Sequence, residues 1–189
     1  KKYLKKNRIN YLYISASENV NWLLNIRGKD LPNSPIINCK VLITDKGKIY
    51  LFININKIPN AIIKSFKDII LCEENSLFKN LINLKNGSFC VDRNTCSIFE
   101  QQIICSRFNI IKNIDPIYGL KSVKNSIEIK NTIKAHIEDG VALTKFLYWF
   151  KMNKKKITEK KIESRLENLR KRSKNYLFPS FDTIAGSGP

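Results

Sequence analysis

Short strand-like and helix-like runs alternate between Ile9 and about Ile117, and this alternation constrains the fold more than any other feature of the chain. Runs rich in β-branched and aromatic residues are typical of strands, whereas apolar residues at helical spacing are typical of helices. We predict strands over residues 10–14, 39–44, 48–53, 68–72, 88–92 and 108–111, and helices over 17–26, 59–66, 76–84 and 95–105. This pattern predicts an α/β fold with a mixed β-sheet and flanking helices.

The clearest local signal is a β-hairpin. Two β-prone runs, 39–44 and 48–53, flank Asp45-Lys46-Gly47, and glycine readily adopts the positive φ that a tight turn needs. Gly28 follows the predicted helix over 17–26, so we expect it to cap that helix.

The pattern changes at Asp115-Pro116, because the residue before a proline is pushed out of the helical region. We therefore predict two domains, with residues 1–117 as the α/β domain and residues 118–189 as the start of a second one. Asn125 and Glu128 have the form of a capping box that opens a long helix to about Met152.

Apolar side chains recur at helical spacing along this long helix, and we expect them to pack inward. They are Ile129, Ile133, Ile137, Val141, Thr144 and Tyr148. Gly140 in the middle of the helix suggests that another element approaches closely there.

After a loop at Lys154-Lys155-Lys156, we predict a second helix over 158–174 with Ile162, Leu166 and Leu169 along one stripe. Residues 182–185 are predicted to form a strand. A glycine-rich turn follows that strand and the sequence stops, so we expect the sequence to be cut within a domain.

The formal net charge of +18 suggests contact with nucleic acid, but the types of basic residue weaken this interpretation. The chain has 27 lysines and only 7 arginines, whereas proteins that read nucleic acids favour the bidentate guanidinium of arginine. Residues 151–174 hold 11 basic and 3 acidic residues and are the best candidate for a polyanion contact. They lack interleaved aromatic residues, so we interpret them as a solvated helix face.

No run approaches the roughly 18 apolar residues of a membrane-spanning helix, and no secretory signal opens the sequence. We expect no membrane span and a cytoplasmic protein. Three of the five cysteines, Cys39, Cys72 and Cys90, lie in apolar runs and are predicted to be buried free thiols.

The residues alone predict no catalytic, substrate-binding or metal site. The single histidine, His136, lies within the long predicted helix, and Glu138 and Asp139 are too close in sequence to face it. We interpret His136 as a partly buried structural residue, and a role as general base remains open. We interpret Trp22 as a core residue and Arg27 as a partner of a helix C-terminus, while a substrate entrance or a subunit contact remains open for both.

Three separated blocks resemble segments of the Xaa-Pro aminopeptidases (aminopeptidase P) of the three-domain cytosolic type, within the creatinase and prolidase superfamily. Glu18 to Asp30, which includes Trp22-Leu23-Leu24-Asn25-Ile26-Arg27-Gly28, is similar to the "WLLNLRG-x-D" segment of the family's middle domain. Lys121 to Leu143 resembles the entry into the catalytic domain, and Phe181 to Pro189 resembles the segment that leads to the metal site.

The resemblance implies that residues 1–117 are a creatinase N-terminal-like middle domain and that residues 118–189 are the truncated start of a pita-bread metallopeptidase domain. Family members hold two divalent metal ions, commonly Mn²⁺, through two Asp, one His and two Glu, and they remove the residue before a penultimate proline. The resemblance also implies a cytoplasmic homodimer that acts on peptides. All five ligands are expected beyond Pro189, so this segment is expected to be inactive scaffold.

Two alternatives remain open. One is a non-catalytic pita-bread relative that binds peptides or proteins. The other is a basic module that binds nucleic acid through residues 154–174.

Overall fold

The structure, a computed structural model, describes residues 1–153 and 157–186. The chain divides into two compact units. The first unit comprises Lys1–Leu31 and Pro35–Ser122, and the second comprises Pro32–Ser34 and Val123–Pro189. The predicted domain boundary at residue 117 stays a prediction.

The described part of the first unit is built on a six-stranded mixed sheet with the strand order β4-β3-β2-β1-β5-β6. The strands are β1 (Tyr11–Ile14), β2 (Cys39–Thr44), β3 (Ile49–Ile53), β4 (Ile69–Cys72), β5 (Ser88–Val91) and β6 (Asn109–Lys112). β1 pairs antiparallel with β2 and parallel with β5, so the predicted mixed sheet is confirmed.

Helices flank this sheet, as expected. They are α1 (Lys2–Lys6), α2 (Ser17–Leu24), α3 (Asn60–Ser65), α4 (Leu77–Ile82), α5 (Ile98–Cys105) and α6 (Pro116–Ser122), with a 3₁₀ turn at Ile55–Lys57. The sequence reasoning missed α1 and α6. Pro116 opens α6 rather than ending structure, because Asp115 caps the helix by accepting a 2.9 Å hydrogen bond from the Ile117 amide.

The side chains of β1 alternate between two apolar cores. Tyr11 and Tyr13 pack in one core with Phe89, whereas Leu12 and Ile14 pack in the other. All four residues of β1 are buried, since the sheet is covered on both faces.

The predicted hairpin is present between β2 and β3. Gly47 has a φ of +89°, and its amide donates to the Thr44 carbonyl at 2.8 Å. The Thr44 amide in turn donates to the Lys48 carbonyl at 3.0 Å, which closes the turn.

The predicted cap at Gly28 is wrong. α2 ends at Leu24, and Asn25 takes the left-handed conformation with a φ of 51°, which asparagine tolerates better than most residues. Gly28 is needed for a different reason, because a Cβ atom there would lie 2.9 Å from the Cα of Ile37.

The second unit contains α7 (Ser126–Asn153) and α8 (Glu159–Arg170). The capping box is confirmed, since the Glu128 amide donates to Asn125 Oδ1 at 2.9 Å and the Asn125 amide donates to Glu128 Oε2 at 2.8 Å. The α8 stripe is also confirmed, because Ile162, Leu166 and Leu169 pack in one cluster with Ala142 and Phe146 of α7.

The face of α7 that was predicted to pack inward is not covered by any described part of the chain. Its members are exposed, with Ile137 at 62% and Tyr148 at 66% exposed. α7 carries apolar residues on two sides, and α8 covers the side of Ala142, Phe146 and Trp149 instead. We call the exposed side the outer α7 face; it comprises Ile129, Ile133, Ile137, Val141, Thr144 and Tyr148.

Two further predictions for the second unit are wrong. A Cβ atom at Gly140 would meet no atom within 4 Å in the described part of the chain, so no described element approaches this glycine closely. Residues 182–185 do not form a strand, since the described part of this unit offers no neighbouring strand to pair with. The loop predicted at 154–156 lies outside the described residues.

We predict that Gly140→Ala raises the free energy of unfolding of the second unit by about 0.5–1 kcal/mol. Alanine lowers the conformational entropy of the unfolded chain, and in the folded helix its methyl group meets open space. Gly28→Ala is the opposite case and should lower the stability of the first unit, since its methyl group meets the Ile37 backbone. Urea unfolding followed by far-UV circular dichroism measures both. A destabilising Gly140→Ala would show that an element covers Gly140 in solution.

Candidate functional site

A buried polar network surrounds Glu100 of α5 in the first unit. Its Oε1 accepts hydrogen bonds from the Tyr13 hydroxyl at 2.6 Å and from Lys40 Nζ at 2.7 Å. Its Oε2 accepts from the Ser97 hydroxyl at 2.9 Å. Burial on its own would raise the pKa of Glu100, but the hydrogen bonds from Lys40, Tyr13 and Ser97 outweigh it and lower this pKa.

The same network raises the pKa of Tyr13, first through burial and then through the neighbouring Glu100 carboxylate. Tyr13 therefore keeps its proton and donates it in a hydrogen bond, while Glu100 stays ionised and accepts. These hydrogen bonds join α5 to β1 and β2. Because Tyr13 stays protonated and Glu100 stays ionised, neither group is suited to proton transfer.

A second buried network lies just beyond the ends of β5 and β6. Asp115 Oδ2 accepts from Asn19 Nδ2 at 2.6 Å, and the Asp115 amide donates to Asp92 Oδ2 at 2.8 Å. Burial raises the pKa of Asp115 above that of an ordinary aspartate. Asn19 Oδ1 is buried and has no hydrogen-bond partner among the described residues. These contacts tie α2 and α6 to the sheet.

Neither network is a metal site. Within residues 1–153 and 157–186, no three His, Cys, Asp or Glu side chains come together in a way that could hold a metal ion. The described residues therefore do not fit the two-metal centre that the resemblance implies.

The interpretation of His136 as a partly buried residue is wrong, since this side chain is exposed on α7. Its sequence neighbours bind elsewhere, as their spacing predicts. Asp139 accepts two hydrogen bonds from the Arg170 guanidinium, at 2.6 and 3.2 Å, and Glu138 accepts one from Ser173 at 2.6 Å. Both carboxylates thus join α7 to the end of α8 and the residues after it.

Trp22 and Arg27 have structural contacts. Trp22 is half-buried against the core that contains Leu12. Arg27 Nη1 donates to the carbonyl oxygens of Asn21 at 3.0 Å and Ile26 at 2.8 Å. Because the Asn21 carbonyl belongs to the last turn of α2, Arg27 compensates the helix C-terminus, which supports the structural interpretation.

The segment that follows α2 lines a groove in the first unit with a volume of about 780 Å³, which we call the Arg27 groove. Its floor is apolar and contains Ile26, Ile37, Ile53, Ile58 and Phe66. Its charged rim contains Arg27, Lys29, Asp30 and Lys57. Sequence reasoning singled out Arg27 but missed the groove, because residues 53–66 complete it from a distant part of the chain.

Four of the five cysteines are buried, and Cys105 is exposed. Cys39, Cys72 and Cys90 are buried free thiols, as predicted, and Cys96 is a fourth. Burial raises the pKa of the Cys39 and Cys96 thiols to about 12, so neither forms the reactive thiolate at neutral pH. Among the described helices, none is long and apolar enough to span a bilayer.

Residues 1–128 match the family of the creatinase/prolidase N-terminal domain. The chain belongs to this family. It is 28% identical to the Xaa-Pro aminopeptidase ApepP of Drosophila melanogaster, over 98% of this chain and 32% of that protein. It is 30% identical to Xaa-Pro aminopeptidase 1 of Dictyostelium discoideum, over 96% of this chain and 30% of that protein. The chain spans about a third of the length of these relatives.

Solved structures confirm the fold of this creatinase/prolidase family member. X-prolyl aminopeptidase from Caenorhabditis elegans, a cytosolic enzyme with a di-nuclear active site, superposes with a TM-score of 0.86 at 22% identity, covering 97% of this chain and 31% of that one. Prolidase from Pyrococcus furiosus superposes with a TM-score of 0.62 at 17% identity, covering 90% and 48%.

We predict that Glu100→Gln destabilises this creatinase/prolidase domain by about 1–3 kcal/mol, because the negative acceptor of Lys40 becomes neutral and the new amide NH₂ faces hydrogen-bond donors instead of acceptors. Since the pKa of Glu100 is lowered by folding, its contribution is present above the unfolded pKa and is lost as the pH falls through the folded pKa. The variant should therefore show a flatter acid limb in urea unfolding. Lys40→Met is the matched control, and additive effects in the double variant would contradict the coupling.

Asp115→Asn should change the pH dependence of stability in the opposite direction to Glu100→Gln. Because burial raises the pKa of Asp115, ionisation costs stability as the pH rises from the unfolded pKa through the folded one. The stability of Asp115→Asn relative to the unchanged chain should therefore improve from acid to neutral pH. Unfolding curves measured across that range test this, and a relative stability that worsens towards neutral pH would contradict it.

Proposed function

We propose that this chain is the supporting part of an Xaa-Pro aminopeptidase, an enzyme that removes the N-terminal residue of a peptide whose second residue is proline. Residues 1–117 would be its creatinase N-terminal-like middle domain, and residues 118–189 the start of its pita-bread metallopeptidase domain. Similarity to Xaa-Pro aminopeptidases over almost the whole chain supports this proposal.

The outer α7 face is the structural observation that carries the proposal furthest. A helix with large apolar residues on two sides is typical of a helix that is buried on both of them. α8 covers one side through Ala142 and Phe146, whereas Ile133 and Ile137 on the other side are 56% and 62% exposed. The relatives are about three times as long as this chain, and in our proposal the rest of the peptidase domain covers this face.

In our proposal, residues outside 1–189 catalyse the hydrolysis. Two divalent metal ions, Mn²⁺ in our proposal, would supply the activated water in the complete enzyme. In our proposal no catalytic, substrate-binding or metal-ligating position of that centre lies in this segment, which is inactive on its own. We also propose a cytoplasmic homodimer, and the description of the C. elegans relative as a cytosolic enzyme supports the location.

The two alternatives differ in what supports them. A non-catalytic pita-bread relative that binds peptides or proteins would have the same contacts within residues 1–189 as the enzyme. It would differ from the enzyme in lacking the metal-ligating residues outside this segment. Nucleic-acid binding through residues 154–174 has less support, because several of its cations have partners within the second unit. Arg170 pairs with Asp139, Lys171 pairs with Glu167 at 2.8 Å, and Arg165 lies over the Trp149 ring.

We predict that the purified 189-residue chain, with added Mn²⁺, releases no alanine above the blank from a tripeptide that begins with Ala-Pro. The product of the complete reading frame should release alanine under the same conditions and lose this activity with a chelator. A liquid-chromatography assay of released alanine measures both. Hydrolysis by the 189-residue chain would refute the supporting role, and an inactive complete product that still binds the tripeptide would favour the non-catalytic relative.

A further inference from the structure

The Arg27 groove is a cavity in the first unit to which the proposed peptidase chemistry gives no role. Its volume of about 780 Å³ lies within the range of pockets that hold small ligands and short peptide segments. All the residues that line it belong to the first unit.

The floor of the groove is apolar. Ile26, Ile37, Ile58 and Phe66 are partly buried residues that pack on the core beneath, so each leaves an apolar surface towards the groove. Ile62 of α3 also lines it and is 41% exposed. Apolar residues of a bound segment would remove this surface from water.

The rim of the groove has an excess of positive charge. Asp30 is compensated, because its Oδ1 accepts a 2.8 Å hydrogen bond from Lys57, which lowers the pKa of this carboxyl group. Among residues 1–153 and 157–186, no ion pair compensates Arg27 or Lys29, which are the surplus cations of the rim. Both hydrogen bonds of Arg27 start from Nη1, so its guanidinium has further donors for a carboxylate.

The rim is held in place before any ligand arrives. Gly28 packs against Ile37, and its amide donates to the Pro35 carbonyl at 3.3 Å. Asp30 Oδ2 accepts from the Asn38 amide at 2.9 Å, so the strip that carries Arg27 is tied to the segment before β2. A pre-organised rim lowers the entropy cost of binding.

We propose that the Arg27 groove binds the apolar end of a peptide that has a free α-carboxylate, with its side chains on the isoleucine floor and its carboxylate at Arg27 and Lys29. This inference rests on the proposed function, in which peptides are the substrates. Charge complementarity favours this occupant over a second copy of the chain, since each copy carries a formal net charge of +18.

The test is an NMR titration of the ¹⁵N-labelled chain with the pentapeptide Ala-Pro-Leu-Phe-Leu and, separately, with the C-terminal amide of the same peptide. The amide signals of Gly28, Lys29, Ile37 and Ile58 should shift. The free acid should bind about two- to fivefold more tightly than the amide, which is the scale of one exposed charge pair, and added salt should remove this difference.

Three variants separate charge from shape. Lys29→Gln should reduce the preference for the acid, and Ile62→Glu should weaken binding of both peptides. Lys46→Gln, an exposed lysine in the β2–β3 turn, is the matched control and should leave both affinities unchanged.

Equal affinity for the acid and the amide would overturn the proposal, as would shifts confined to residues outside the groove or no shift at millimolar peptide. Groove signals that change with protein concentration alone would overturn it in favour of a second copy. The titration needs no catalysis, so its failure leaves the proposed peptidase function standing, whereas an inactive complete product refutes the function and not the groove.

Discussion

Strand β1 is the element on which the rest of the first unit depends. It is buried on both faces, and it pairs antiparallel with β2 on one side and parallel with β5 on the other. Tyr11 and Tyr13 fill one core while Leu12 and Ile14 fill the other, so four consecutive residues connect the two layers of packing. The Glu100 network is joined to this strand as well, through the hydroxyl of Tyr13.

The features that the sequence predicts well are local ones. The β2–β3 hairpin follows from Gly47 between two β-prone runs, and the start of α7 follows from Asn125 and Glu128 three residues apart. Both depend on hydrogen bonds within a few residues, which a short pattern determines completely. The short helices α1 and α6 escaped prediction for different reasons: α1 lies before Ile9, where the alternating pattern begins, and Asp115-Pro116 was interpreted as a break although Pro116 opens α6.

The errors arise where tertiary contacts decide. Asn25 ends α2 before Gly28 is reached, and Gly28 is required by the distant backbone of Ile37. The apolar periodicity of α7 is real, but a helix with two apolar sides does not reveal which one its next neighbour covers. The pairing of Lys40 with Glu100 and the closure of the Arg27 groove by residues 53–66 likewise join segments that are far apart in sequence. No local pattern predicts them.

The two neighbours of β1 are reached by the growing chain at different times. Its antiparallel partner at Thr44 is synthesised early, whereas its parallel partner at Phe89 follows only after two more strands, β3 and β4, and two more helices, α3 and α4. Closing the longer loop costs more chain entropy, and pairings of this kind slow folding. The ribosome thus delivers the β1–β2–β3 sheet first and leaves one edge of β1 open until β5 emerges. During that interval the open edge is a site where another nascent strand could pair by mistake.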